Sequence, residues 1–106
     1  MITFNDFKNI ELRTATIKDV ADHPKADKLY ILTLDVGNEE KQCVAGIRAY
    51  YEKEELIGKQ IVIVNNLEPA TIRGVKSSAM VLAAVDKEAL SIVVMDRKIE
   101  NGLSVI

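Results

Sequence analysis

Cysteine and histidine are nearly absent: the 106 residues hold one of each, Cys43 and His23. A lone cysteine makes no internal disulfide. One cysteine with one histidine does not supply the four ligands of a structural zinc site. No metal and no cofactor is expected. Tryptophan is missing, and the aromatics are limited to Phe4, Phe7, Tyr30, Tyr50 and Tyr51, too few to line a stacking groove for single strands. No apolar run has the roughly 20 residues of a membrane span. The opening MITFNDFKN lacks the basic start and apolar stretch of a signal peptide, so no membrane partner and a cytoplasmic location are expected. Excess positive charge is missing too. The formal net charge is −2 and the isoelectric point about 5.4, which argues against indiscriminate nucleic-acid binding.

Catalytic patterns are also lacking: there is no GxGxxG, P-loop, HExxH or GxSxG. The carboxylate pairs Glu39-Glu40 and Glu54-Glu55 are sequence neighbours in a turn and a helix, where adjacent side chains do not face each other as an acid–base pair requires. Cys43, in KQCVAG at strand-like spacing, reads as a small buried side chain rather than a nucleophile. No catalytic residue is expected. Chemistry through Cys43 or His23 is the weakest of the three functional readings.

What is present suits one folded unit. The hydrophobic fraction of 48% and charged fraction of 28% are ordinary for a globular domain, and the length fits one domain, 1–106. TFNDFKNI reads as a capped helical turn, with Phe4, Phe7 and Ile10 at helical spacing. It is expected to lie as a lid on the core, with contact to a second subunit as the alternative. IELRTATIKDVAD reads as a long strand whose alternation slips near Thr14 to Ile17, the mark of a bulge or bend. Asp22, His23 and Pro24 end it, and Asp27 can tighten the turn that follows. KLYILTLDV is the second strand, with Tyr30, Leu32, Leu34 and Val36 on one face. GNEE reads as a solvated hairpin tip leading to the third strand, KQCVAGI.

AYYEKEELIGK reads as the one clear helix, stopped by Gly58. QIVIVNN is a strand apolar on both faces. LEPATIRGVKSSAM is a loop or hairpin, VLAAV and LSIVVM are strands joined by DKEA, and an Asn101-Gly102 turn precedes the apolar end LSVI. The expected fold is therefore all-β with one short helix between strands three and four: a five-stranded OB-type barrel with a short N-terminal helical lid and a C-terminal extension. An SH3-like barrel is the nearest competitor and seldom carries that helix.

Charge is unevenly distributed. Residues 59 to 85 hold Lys59, Arg73 and Lys76 against only Glu68. Arg73, Lys76, Ser77 and Ser78 crowd one loop beside Gly74, Arg48 follows Gly46 at a strand exit, and Asn65 and Asn66 end another strand. Cations for phosphates, with Ser and Asn for sugar hydroxyls, are what shape-based RNA recognition needs. On chemistry alone, a solvated loop of turn-forming residues is the simpler account.

FNDFKNIELRTATI, HPKADKLYILTLDVG, VAGIRAYYEKEELIGKQIVIVNNLEP and IRGVKSSAMVLAA follow in order. Together they resemble the tRNA-binding domain family, which includes stand-alone tRNA-binding dimers and the C-terminal domain of many methionyl-tRNA synthetases. The opening FNDFKNIELR is also similar to the more distant chaperone-like CsaA branch. The resemblance implies a non-catalytic OB fold that reads the shape of tRNA and assists an aminoacyl-tRNA synthetase, the methionyl enzyme first. It implies RNA contacts at Lys25, Lys28, Arg48, Asn66, Arg73, Lys76 and Ser77, with Met80 near that face or in the core. It also implies a homodimer built on the terminal segments, here Phe4, Phe7, Leu103, Val105 and Ile106. Relatives carry basic residues where this chain has Ala70 and Thr71, so lower affinity and a flatter salt dependence are expected. The alternative is a chaperone-like or scaffolding dimer with vestigial RNA binding.

Overall fold

The computed structural model describes residues 1–106. Period-two alternation produces its central strands. β2 (Tyr30–Asp35) buries Tyr30, Leu32 and Leu34, and β3 (Glu40–Ala45) buries Cys43 and Ala45. β1 (Leu12–Asp22) turns Ala15, Ile17 and Val20 inward. β4 (Gln60–Val64) is buried at Ile61, Val62, Ile63 and Val64, so both of its faces are covered. The sheet order is β3-β2-β1-β4-β7, where β7 is Met80–Val81, and every pairing is antiparallel. It curls into a five-stranded half barrel. The expected all-β layout, with a helix between the third and fourth strands, is what forms. Two ribbons are added to it: β5 (Ala70–Ile72) with β6 (Val75–Ser77), and β8 (Ala83–Val85) with β9 (Leu90–Ile92). No helix is long and apolar enough to cross a membrane.

The alternation slip in the first strand is a real irregularity, placed slightly later than the sequence suggests. The β1–β2 register shifts between Ile17 and Asp19. The extra residue, Lys18, points outward to an ion pair with Glu40, and Ile17 and Val20 can both face the core.

Both helices are single turns. α1 (Phe4–Phe7) has a capping box between Thr3 and Asp6 but buries no residue, and Phe4 is 73% exposed. It does not cover the core as a lid would. It flanks the C-terminal tail, with which it lines an apolar hollow. α2 (Lys53–Leu56) is shorter than the 11 residues of AYYEKEELIGK suggest. Only Leu56 of this helix is buried, and short helices take most of their stability from packing. Tyr50 and Tyr51 precede the helix. Gly58, at φ +90°, ends it.

The tail is tied down along β1. Thr14 N–H donates to the Leu103 carbonyl at 3.0 Å, Gly102 N–H donates to the Thr14 carbonyl at 2.7 Å, and Val105 N–H donates to the Leu12 carbonyl at 3.0 Å. The buried Thr14 hydroxyl donates to the Glu100 carbonyl at 2.8 Å and accepts from Leu103 N–H at 3.0 Å. The GNEE tip is therefore not simply solvated: the tail passes against it, backbone on backbone. A Cβ on Gly37 would lie 2.8 Å from the Asn101 carbonyl oxygen, and one on Gly102 would overlap the Val36 carbonyl oxygen. Gly102 also has φ +81°. Gly102→Ala is expected to lower stability by about 1–3 kcal/mol, read as an earlier urea midpoint with faster amide exchange at residues 102–105.

Candidate nucleic-acid interface

The sequence IRGV makes a two-residue hairpin turn between β5 and β6, with Arg73 at φ +52° and Gly74 at φ +87°. Both central residues at positive φ is the turn whose twist suits a hairpin. Glycine adopts it freely, whereas a non-glycine residue there is disfavoured by about 1–2 kcal/mol. An arginine at the tip is thus a local cost that the turn alone does not require. Arg73 Nη2 donates to the Lys25 carbonyl at 3.1 Å. This brings the hairpin tip to the β1–β2 loop, and Lys25, Ala26, Asp27, Lys28, Leu29 and Arg73 line one open cleft of about 460 Å³. Lys25, Lys28 and Arg73 are all exposed. Three cations from two segments therefore converge, with Asp27 as the one carboxylate among them.

The hairpin lies along the outer edge of β3. Ser77 Oγ accepts from Val44 N–H at 3.0 Å and donates to the Ala79 carbonyl at 3.3 Å. Ser78 N–H donates to the Gln42 carbonyl at 2.9 Å, and Gln42 Nε2 donates to the Lys76 carbonyl at 2.9 Å. Ser77 is buried, and its hydroxyl serves the edge strand. Lys76 stays exposed, opposite Thr71 in the ribbon.

The remaining residues implied by the motifs are placed differently. Arg48 sits over the Tyr30 ring at 6.0 Å from its centroid and 3.5 Å from Asp22, which Lys53 also reaches at 3.3 Å. Its charge is partly answered within the fold. Asn66 Oδ1 accepts from Glu11 N–H and its Nδ2 donates to the Asn9 carbonyl, both at 2.9 Å. That amide ties the chain before β1 to the end of β4. Beside it, Asn65 Nδ2 donates to Glu11 Oε1 at 2.7 Å, and this bond, aided by Arg13, holds the Glu11 carboxyl below its ordinary pKa. Met80 is 45% exposed, so it is not a core residue. Tyr30 is core: its hydroxyl donates to the Tyr51 carbonyl at 2.7 Å, and burial raises its pKa.

Cys43 is fully buried, and desolvation pushes its thiol up to about 12, so it is protonated at neutral pH and is no nucleophile there. At the other end of the molecule, Phe4, Phe7, Ile10, Leu12, Val105 and Ile106 line an apolar hollow of about 280 Å³, and Leu103 is exposed nearby in sequence.

A model described as a putative tRNA binding domain matches residues 12–104. The chain belongs to the tRNA-binding domain family. Among curated relatives, the methionine–tRNA ligase of Thermococcus onnurineus is 45% identical over 101 residues, 95% of this chain and 14% of the ligase. That of Nanoarchaeum equitans is 44% identical over 105 residues, 99% of this chain and again 14% of the ligase. The chain thus spans about one-seventh of those relatives. Among solved structures, a MetRS-related protein from Pyrococcus horikoshii superposes with a TM-score of 0.93 at 27% identity, covering 100% of this chain and 98% of that one. The CsaA chaperone protein of Picrophilus torridus superposes at 0.92 with 35% identity, covering all of both chains. Both branches named by the motifs are therefore near this fold.

The sequence places His23 and Asn101 in turns but does not show that His23 is buried, two residues before Lys25, or that Asn101 Oδ1 accepts from Thr16 Oγ1 at 2.8 Å and Gln60 Nε2 at 2.9 Å. The only sequence signal for the first was a single histidine inside an otherwise exposed turn. Ser77→Ala would strand the Val44 amide and is expected to destabilise by about 1–3 kcal/mol. Equilibrium unfolding in urea measures this, and a change within 0.3 kcal/mol, roughly the error of such comparisons, would show that the hydroxyl does not hold the edge.

Proposed function

We propose that this chain is a non-catalytic module that binds tRNA by shape, from the cytoplasm, and works beside an aminoacyl-tRNA synthetase, the methionyl enzyme first. The observation that carries the reading is the convergence of Lys25, Lys28 and Arg73 on one open cleft, with Lys76 on the same hairpin. Such an array contacts phosphates and reads backbone shape rather than bases. The ligase relatives support the synthetase link. Arg48 joins the array when RNA competes with Asp22 for its guanidinium. Asn66 and Ser77, proposed contacts by motif position, act indirectly by holding the segments they bond. The test is fluorescence anisotropy with unfractionated tRNA, an RNA duplex of equal length as competitor, and a salt series. Saturable binding that the duplex does not displace is expected, with Arg73→Ala reducing the salt slope by about one unit. Absence of binding at low salt would sink the reading.

The terminal hollow supports a homodimer through Phe4, Phe7, Leu103, Val105 and Ile106. Two copies would cover exposed apolar surface and double a weak site. Sedimentation equilibrium is expected to give a dimer that Phe4→Ser with Ile106→Ser converts to monomer, and a wild-type monomer at tens of micromolar would refute this.

A second reading is favoured by a different surface. Val44, Ala45, Ile47, Met80, Val81 and Leu90 contribute to an apolar cleft of about 350 Å³ between β3 and β7. With the CsaA likeness, it supports chaperone-like binding of apolar peptide, in which case clients and not tRNA would saturate the protein.

A further inference from the structure

Only three polar or charged residues are buried: Thr14, Ser77 and His23. His23 is 3% exposed, although Pro24, Lys25, Asp27 and Lys28 beside it are open to solvent. A buried imidazole needs a partner for each ring nitrogen. Nδ1 lies 3.0 Å from the Lys25 backbone nitrogen, which can only donate, so Nδ1 accepts. Nε2 lies 3.0 Å from the Ile72 carbonyl oxygen, which can only accept, so Nε2 carries the hydrogen and donates it. One neutral tautomer in one orientation satisfies both contacts.

The two bonds differ in reach. The first closes a turn two residues long, and the second joins residues 49 apart in sequence. Ile72 is the last residue of β5 and directly precedes Arg73. The ring therefore links the backbone beside Lys25 to the backbone beside Arg73, and Arg73 returns a bond to the Lys25 carbonyl. The β5–β6 ribbon has three residues per strand, marginal on its own in water; β6 is tied to β3 through Ser77, Ser78 and Gln42, and the His23–Ile72 bond ties the β5 side beside the tip.

We propose that His23 is a positioning residue that locks the β1–β2 loop to the β5–β6 hairpin, so that Lys25, Lys28 and Arg73 meet a polyanion as one preformed array. This rests on the tRNA-binding reading and deepens it. Without the latch the same cations remain and the bonds to β3 still hold the base of the hairpin, but its tip and the facing loop lose the tie through the ring and must be aligned on binding, and that cost lowers affinity.

His23→Asn separates the two bonds. An asparagine side chain keeps an acceptor for the amide two residues on, as in an Asx turn, but is too short to reach Ile72. Affinity for unfractionated tRNA is measured for wild type, His23→Asn, His23→Ala and Arg73→Ala across a salt series, with amide exchange of the free proteins and thermal melts as folding controls. His23→Asn is expected to bind roughly five- to tenfold more weakly on a line parallel to wild type. Arg73→Ala is expected to lower the slope by about one unit. Amides of β5 and β6 should exchange faster in His23→Asn, while those of Leu32 and Leu34 stay protected. If His23→Ala fails to fold, His23→Asn carries the test. Wild-type affinity in His23→Asn would overturn the proposal. A lowered slope like that of Arg73→Ala would also overturn it, because His23 would then be a contact residue. Absence of tRNA binding by wild type would instead remove the functional reading and, with it, this role for His23.

Discussion

β1 carries two ladders at once, and Thr16 is where they overlap: it pairs with Gln60 of β4 and with Asp35 of β2. Upstream of Thr16 the strand belongs to β4, and downstream to β2. A strand shared in this way must bend, and the bulge at Lys18 supplies extra twist while keeping Ile17 and Val20 inside. The overlap also leaves the other edge of Leu12 to Thr14 without a neighbour from the sheet. Unpaired backbone groups beside a core are costly, and the tail answers them at Leu103, Gly102 and Val105. Gly37 and Gly102 follow from the same constraint, because the tail must pass under the β2–β3 tip at backbone contact distance.

The far end of β1 sets up the cationic cleft. After Asp22 the chain enters the loop that carries Lys25 and Lys28, while the hairpin arrives along the exposed edge of β3. Edge strands need cover, and Ser77, Ser78 and Gln42 attach the hairpin there. Protecting the edge thus delivers Arg73 to the loop. The net charge of −2 hides this segregation. Asp22 answers Arg48 and Lys53, Glu40 answers Lys18, and the carboxylate left at the cleft is Asp27. Exposed ion pairs of this sort stabilise little. Their larger effect is on which cations remain available to a polyanion within a Debye length.

Strands that depend on local pattern were largely legible in the sequence. Alternation located β2 and β3 and the branched run located β4, whereas IRGV was open between a loop and the hairpin it forms, and VLAAV, expected as one strand, is divided between β7 and β8. The helix was overextended because Tyr50 and Tyr51 suit many conformations, while Leu56 alone anchors the turn. The tail's course was not legible: it depends on Thr14 meeting Glu100 and Leu103, contacts 86 and 89 residues apart that leave no periodic trace. The candidate site was legible mainly through its motifs. Composition alone accounted for Arg73 and Lys76 as turn residues, and nothing in the period of the chain marked His23 as buried.

Similarity of motif and contact with ligand are different properties, and Ser77 and Asn66 show why. Each fits the family pattern, and each already has its polar atoms bonded within the fold. A residue whose loss would strand backbone groups is held by folding whether or not RNA is bound. The side chains of Lys25 and Lys28 meet no such demand, and the one bond Arg73 makes within the fold, to the Lys25 carbonyl, is exposed, where water can replace it. Arg73 sits at positive φ, where glycine or asparagine would be relaxed. Ala70 and Thr71 then acquire a physical meaning. Both are exposed on the strand leading to Arg73, so cations there would have extended the array at no cost to the core. In the proposed RNA complex, fewer charges leave each phosphate contact with a larger share of the affinity. The geometry that holds the remaining cations then matters more than their number.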